Sequence, residues 1–326
     1  MINLYGLVEP LQSWLFEMAI LPLLHALGES ALADEVFDAT GISLLGTLFI
    51  AIAYLLIRPL EAWIPIERWR SRRVLWVDVL YTFLEKTGFL PITFFLLLTP
   101  VWLPAQAWLH ANGMTPWHLE ELVPWLQTSP FAAFLAYALV LDFFEYWRHR
   151  WQHKFAWWWG LHSIHHSQQQ MSFWCDSRNH LLDGLIHAVW LGAIAMAIGM
   201  PGSQFVGLVI LMQLVESMSH VNARISYGWL GERLIVSPRF HRVHHGIGVG
   251  HEGRYHGCNF AVLFPLWDLL FGTARFDIEP GATGIRDQLN GARYGEGFWE
   301  QQRLGLRRMM GWPVPSGTKH RVRDQG

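Results

Sequence analysis

From Gly88 to Leu109 the chain runs for 22 residues without a charged side chain. At a rise of about 1.5 Å per residue, a helix of that length matches a hydrocarbon core of about 30 Å. Leu44–Ile57 is a second such core, extending over about Gly41–Trp63, and Phe131–Leu141 continues apolar into Trp147 past only Asp142 and Glu145. Leu185–Met200 and Phe205–Val215, parted by Pro201-Gly202, read as a hairpin that dips into the bilayer or crosses it. Leu7–Leu27 is apolar too, although Glu9, Pro10, Glu17 and Pro22 interrupt it. Charged residues are only 15% of the chain, against roughly 25% in soluble proteins. The expected fold is all-α: an integral membrane helical bundle of about four spanning helices plus a re-entrant or spanning hairpin.

Charge orients this bundle. Of the 24 Lys and Arg, six lie in Arg58–Lys86 and eighteen in Arg148–Arg323, with none between Lys86 and Arg148. The positive-inside bias places Arg68–Arg73 and everything after Trp147 in the cytoplasm, and the segments near 30–40 and 105–128 on the other side. Crossings near 8–27, 41–62, 88–109 and 130–147 satisfy that pattern, with a cytoplasmic N-terminus. Trp147, Trp151 and Trp157-Trp158-Trp159 fall where an interfacial aromatic belt is expected. Residues 1–57 carry no Lys or Arg, which argues against a secretory signal. A net charge of −2 gives no reason to expect a nucleic-acid partner. Cys175 and Cys258 form no CxxC pair and suit a reducing compartment. Residues 1–128 read as a transmembrane region, 129–275 as a catalytic domain and 276–326 as a peripheral cytoplasmic tail.

Histidine is the anomaly. There are 17, and eight of them form three clusters: His149-Arg-Trp-Gln-His153, His162-Ser-Ile-His165-His166 and His241-Arg-Val-His244-His245. On a helix, positions i and i+4 share a face, so His149 and His153 can grip one metal. In each HxxHH the first and third histidines share a face, while the middle one is turned by about 100° from its neighbour. Such a helix can offer nitrogens to two metals at once. Eight imidazoles exceed what one structural zinc takes, and imidazole also suits iron, with zinc an alternative occupant of purified protein. His220, at the end of the last apolar stretch, is placed to add a ninth ligand. His180 is a further candidate, either as a ligand or as a hydrogen-bond partner of one. His187, His251 and His256 read as structural, with His256 able to hydrogen-bond near the site, and His25, His110, His118 and His320 as remote from it. Asp142, Glu145 and Glu216 lie one or two turns from His149 or His220, where each could accept the free N–H of a ligand imidazole. For Asp142 the alternative is pairing with Arg148 or Arg150.

Asp142–His153, Leu161–Ser167, Arg178-Asn-His180, His241–His245 and Trp267-Asp-Leu-Leu-Phe-Gly-Thr273 together resemble the fatty acid hydroxylase superfamily, which includes sterol desaturases and sphingolipid hydroxylases. The resemblance covers about 130–275. It implies a helical membrane fold with a cytoplasmic histidine-rich cap, two iron ions, O2 as co-substrate and a membrane lipid C–H bond as target. It also implies that the eight clustered histidines are metal ligands and matches His220 to an isolated ligand between boxes. Asn259-Phe-Ala departs from the family's frequent Asn-Tyr-Gly, which bears on local packing. The chain has no CxxC pair and no GxGxxG, so a separate ferredoxin, rubredoxin or cytochrome b5-like donor is expected. A lipid hydroxylase is the reading that results. A desaturase with the same site is the nearest alternative, and a membrane metal-binding or electron-transfer protein the alternative from another class.

Overall fold

The computed structural model describes residues 4–69 and 75–312. Arg70, Arg72, Arg73 and His320 lie outside the described residues. Among the described residues all regular structure is helical, with no strand and only an isolated bridge between Gly246 and Thr283. In order come α1 (Leu4–Leu15), α2 (Leu21–Leu27), α3 (Ala33–Trp63), α4 (Leu75–Lys86), α5 (Phe89–Ala111), α6 (Leu119–Leu122), α7 (Pro130–Lys154) and α8 (Ala156–His166). Then follow α9 (Leu181–Ala197), α10 (Gly202–Ser219), α11 (Gly228–Leu234), α12 (Pro238–His244), α13 (Leu266–Leu270), α14 (Arg286–Leu289) and α15 (Phe298–Met309).

Three helical segments are long and apolar enough to cross a membrane: Ser30–Trp63, Phe89–Ala111 and Pro130–Lys154. They cover the two uncharged runs Leu44–Ile57 and Gly88–Leu109, the latter from Phe89 on, and the stretch Phe131–Trp147 that carries Asp142 and Glu145. The first apolar stretch is also helical, but a π-helical turn at Phe16–Ile20 separates α1 from α2, and Pro10 and Pro22 remove backbone donors within it. On α5, Phe95, Leu96, Leu97, Val101 and Leu103 are all exposed, an apolar surface that suits a lipid environment. The chain is a membrane protein whose polar chemistry is gathered at one end of α7.

Local sequence explains how that end is assembled. Ser129 caps α7 by accepting from Ala132 N (3.3 Å), with Pro130 in the first turn where its missing N–H costs nothing. Ser237-Pro238 opens α12 the same way, Ser237 accepting from Phe240 N at 3.0 Å. An apolar core of Tyr137, Leu141, Leu208, Met212, Phe240 and Leu263 joins α7, α10 and α12 beneath the site. Two expectations change here. Trp158 and Trp159 are not part of an interfacial belt: Trp158 is buried with Nε1 donating to Asp183 (2.6 Å), and Trp159 packs on His153 and His166. The described part of the supposed peripheral tail is not peripheral either, because α15 packs directly on α8. A Cβ at Gly160 would sit 2.3 Å from Met309 N, so only glycine permits that approach.

Candidate metal centre

Nine buried histidines converge in two groups. His149, His153, His162, His166 and His244 form one, and His165, His220, His241 and His245 the other; within each, one nitrogen per ring lies within 4.8 Å of all the others. The helical-phase argument holds at both HxxHH boxes. His162 and His166 share the first group while His165 turns to the second, and His241 and His245 share the second while His244 turns to the first. His220, the C-cap of α10, completes the group of four.

Hydrogen bonding fixes which nitrogen faces inward. A carbonyl oxygen can only accept, so a ring nitrogen bonded to one carries the proton and leaves a lone pair on the other. His149 Nδ1 donates to Phe260 O (2.8 Å), His153 Nδ1 to His256 O (3.2 Å) and His244 Nδ1 to Cys258 O (2.7 Å). His165 Nδ1 donates to Arg178 O (3.1 Å) and His220 Nδ1 to Glu216 O (2.8 Å). The inward Nε2 atoms of His149, His153 and His244 are buried without any partner. In the other group, Nε2 of His220 lies 3.3 Å from that of His165 and 3.1 Å from that of His241, which lies 3.1 Å from that of His245. His165 and His220 thus oppose lone pairs with no proton between them, an arrangement that a cation stabilises. Burial, reinforced by neighbouring imidazoles, pushes the pKa of His165, His166, His241 and His245 well below the usual histidine range, and burial lowers His244 to about 3. Neutral, inward-facing, all-imidazole donors fit two divalent transition-metal ions such as iron.

The remaining candidates behave differently. His180 caps α9: its Nδ1 accepts from Leu182 N (3.0 Å) and its Nε2 donates to Gln302 O on α15 (2.8 Å), so neither nitrogen is free for a metal. Asp142 binds no imidazole and neither arginine. It accepts from Leu263 N (2.8 Å), Phe264 N (3.0 Å) and Trp267 Nε1 (3.1 Å), holding the chain that follows the 256–260 loop. Glu145 pairs with Arg148 (2.7 Å) and His187 (3.2 Å), and the Glu216 side chain makes no hydrogen bond or ion pair among the described residues although its carbonyl orients His220. The side-chain carboxylate nearest a clustered imidazole is one the sequence did not single out, Asp183, 3.5 Å from His162 Nδ1. That separation meets an ion-pair distance but not hydrogen-bond geometry, and His162 Nδ1 makes no hydrogen bond.

The true orienting devices are backbone. Alternate carbonyls of residues 256, 258 and 260 serve three histidines, in a loop where His256 (φ 58°) and Asn259 (φ 56°) are left-handed. Asn259 locks it by donating to Phe240 O (2.9 Å) and accepting from Arg275 N (2.7 Å). Asp268 accepts from Phe260 N (2.9 Å), Ala261 N (2.7 Å) and Thr273 Oγ1 (2.6 Å), which gives the Trp267–Thr273 motif its structural purpose. In the sequence Asp268 and Asn259 stood within the Trp267–Thr273 and Asn259-Phe-Ala motifs, as polar residues flanking an apolar stretch, with nothing to mark this orienting role.

A family profile described as fatty acid hydroxylase matches residues 134–273, the span that contains all nine histidines. This segment belongs to the fatty acid hydroxylase family. The hydroxylase domain has relatives among alkylglycerol monooxygenases: that of Homo sapiens is 29% identical over 171 residues, covering 52% of this chain and 36% of that one. That of Danio rerio is 30% identical over 159 residues, covering 48% and 32%. A Delta(7)-sterol 5(6)-desaturase of Gibberella zeae is 26% identical over 151 residues, covering 46% and 43%. The chain therefore spans less than half the length of these relatives. No solved structure matches it.

A cavity of about 1690 Å³ opens against the hydroxylase domain's histidines. His149, His162, His165 and His241 line one end, and apolar side chains of α5, α9 and α10 line its length. From Leu90 to His110 along α5 it extends about 30 Å, the thickness of a hydrocarbon core. The far end is bounded by the 113–118 segment, fastened by Trp117 N to Ala197 O (2.9 Å) and His118 Nδ1 to Gly199 O (3.0 Å). Gly199 has φ 59°, and a Cβ there would meet the His118 ring at 2.4 Å.

Proposed function

We propose that the protein hydroxylates an unactivated C–H bond of a membrane lipid, using O2 and two iron ions held by the nine histidines on the cytoplasmic face. The observation that carries this reading is the pairing of two all-histidine groups with the inner end of a long apolar cavity. Two irons there would supply O2 activation and the oxidising equivalents that a C–H bond requires. The chain's own contribution is positional: carbonyl-fixed tautomers aim the nitrogens, and the cavity aligns a hydrocarbon tail and excludes water. Membership in the fatty acid hydroxylase family and relatives named as monooxygenases support an oxidoreductase. The electrons come from a separate ferredoxin, rubredoxin or cytochrome b5-like protein in this reading. The second reading, desaturation, is favoured by the similarity to a sterol desaturase and uses the same site with another substrate pose.

Elemental analysis of full-length protein made in iron-replete cells tests the centre, with two metals per chain expected. A single heme or no bound metal ends the reading; zinc in place of iron does not, because imidazole sites admit it during overproduction. Mass spectrometry of cellular lipids with and without the gene separates the reactions, gain of one oxygen marking hydroxylation and loss of two hydrogens desaturation.

A further inference from the structure

The fold uses only one face of α15. Gln302, Leu304 and Gly305 are buried. Gln302 Nε2 donates to the Tyr81 hydroxyl on α4 (2.8 Å), its Oε1 accepts from Leu181 N (2.8 Å), and Phe298 packs on Tyr81 with ring centroids 4.9 Å apart. The opposite face is apolar and open: Trp299 is 69% exposed, and Leu306 and Met310 are exposed with it. At about 100° per residue these three positions fall within about 40° of one another, so they form one stripe. Arg303 and Arg307 lie on its flank, both exposed and without a hydrogen bond or ion pair among the described residues. Glu300, the one acid of the helix, accepts from Glu296 N (3.1 Å).

That combination has a physical use. A short helix with an aromatic and aliphatic stripe beside unpaired guanidinium groups is built to lie in a bilayer interface, the stripe at the acyl boundary and the cations among phosphates. The apolar surface also continues onto α4, where Trp76, Leu80 and Phe83 are exposed at helical spacing. Gly88 (φ 82°) then turns the chain into α5, whose exposed Phe95, Leu96 and Leu97 suit lipid. Continuity with a surface that lies in the bilayer favours lipid over a protein partner as the occupant of α15.

We propose that α15 is an in-plane membrane-surface helix, with Trp299, Leu306 and Met310 entering the boundary between head groups and acyl chains and Arg303 and Arg307 binding the phosphates of anionic lipids. Its other face packs on α8 and accepts from His180 through Gln302 O (2.8 Å), so the leaflet braces the helix that carries His162, His165 and His166. The assignment holds whatever reaction the metal centre performs.

The test uses the full chain in nanodiscs with a fluorophore at Leu306→Cys; the native Cys175 and Cys258 are buried and stay unlabelled. Lipids brominated in the acyl chain quench a fluorophore that they touch. Leu306→Cys should be quenched as strongly as Phe95→Cys on α5, whereas Glu279→Cys, at a side chain 86% exposed, should not be. Brominated phosphatidylserine should associate with the Leu306 site about fivefold more tightly than brominated phosphatidylcholine for each arginine engaged. Arg303→Gln and Arg307→Gln together should bring that ratio to about one. If the labelled variant does not fold, a photoreactive phosphatidylserine on the unaltered chain should mark peptides within residues 298–312, and unmarked peptides there overturn the assignment. So does an unquenched Leu306 label, or quenching without preference for phosphatidylserine. A label shielded from both brominated lipid and aqueous iodide would mean that a protein covers α15, and overturns it as well.

Discussion

The two histidine groups are built by different means. The group of five depends on a loop: three of its imidazoles are aimed by carbonyls of residues 256, 258 and 260, and the loop is held by Asn259, Asp268 and, just beyond it, Asp142. The group of four depends on a helix end and on a residue pinned by a buried ion pair. His220 is oriented by its own preceding turn, and His165 by the carbonyl of Arg178. Arg178 is in turn fixed by a buried pair with Asp78 (2.8 Å) and by donation to Ile164 O (3.0 Å). A loop can shift without unfolding a helix, whereas a helix end moves only with its packing. The group of five is therefore the half of the centre whose geometry is separable from the fold.

The sharpest way to break that comparison is to remove one imidazole from each side. His153→Ala and His245→Ala should each abolish turnover and lower metal from two toward one per chain by elemental analysis. Full metal in both variants would end the assignment of these residues as ligands. Acidification comes next and should not discriminate. Histidines held below their ordinary pKa of 6.5 bind fewer protons folded than unfolded, so their stability is fully present above 6.5 and is lost as pH falls toward the folded pKa, about 3 for His244. Metal retention followed by chelator competition should decline in one step below pH 6.5, and two separated steps would show that the groups bind independently. Asp268→Asn should act on the group of five alone, lowering its metal affinity by about 10–100-fold while the other group stays filled. Arg178→Lys should weaken the group of four by about tenfold, the low end for an indirect partner, and lower the melting temperature with it. Equal effects of these two substitutions on both groups would erase the distinction. His25→Ala, at an exposed position on α2, should change stability by less than about 0.5 kcal/mol and leave metal intact.

Helical phase made most of the centre legible. His162, His165 and His166 sort into two groups by rotation about one helix, and His220 is found where an apolar helix ends. The long apolar runs likewise announced α3, α5 and α7. What orients the rings was illegible because it is mostly backbone: a carbonyl at 256, 258 or 260 leaves no mark in side-chain identity. Asp142 was misread for a related reason. Its place one face below His149 is real, but a carboxylate in an apolar helix satisfies whatever donors arrive, and backbone N–H groups 121 and 122 residues later arrive first. The docking of α15 depends on two close approaches, Gly160 against Met309 and Gly305 against His180, between residues more than 100 positions apart, which no local pattern reports.

That docking sets an order of events in the making of the protein. Synthesis runs from the N-terminus, so α8 leaves the ribosome long before Phe298–Met309 exists to cover it. Until then the helix bearing His162, His165 and His166 lacks its outer wall, and His180 lacks the Gln302 carbonyl it donates to. Maturation of the centre thus waits for synthesis to pass residue 309, and a ribosome stalled before residue 298 would leave three of the nine histidines on a helix held by α7 and α9 without α15, open to any metal at hand.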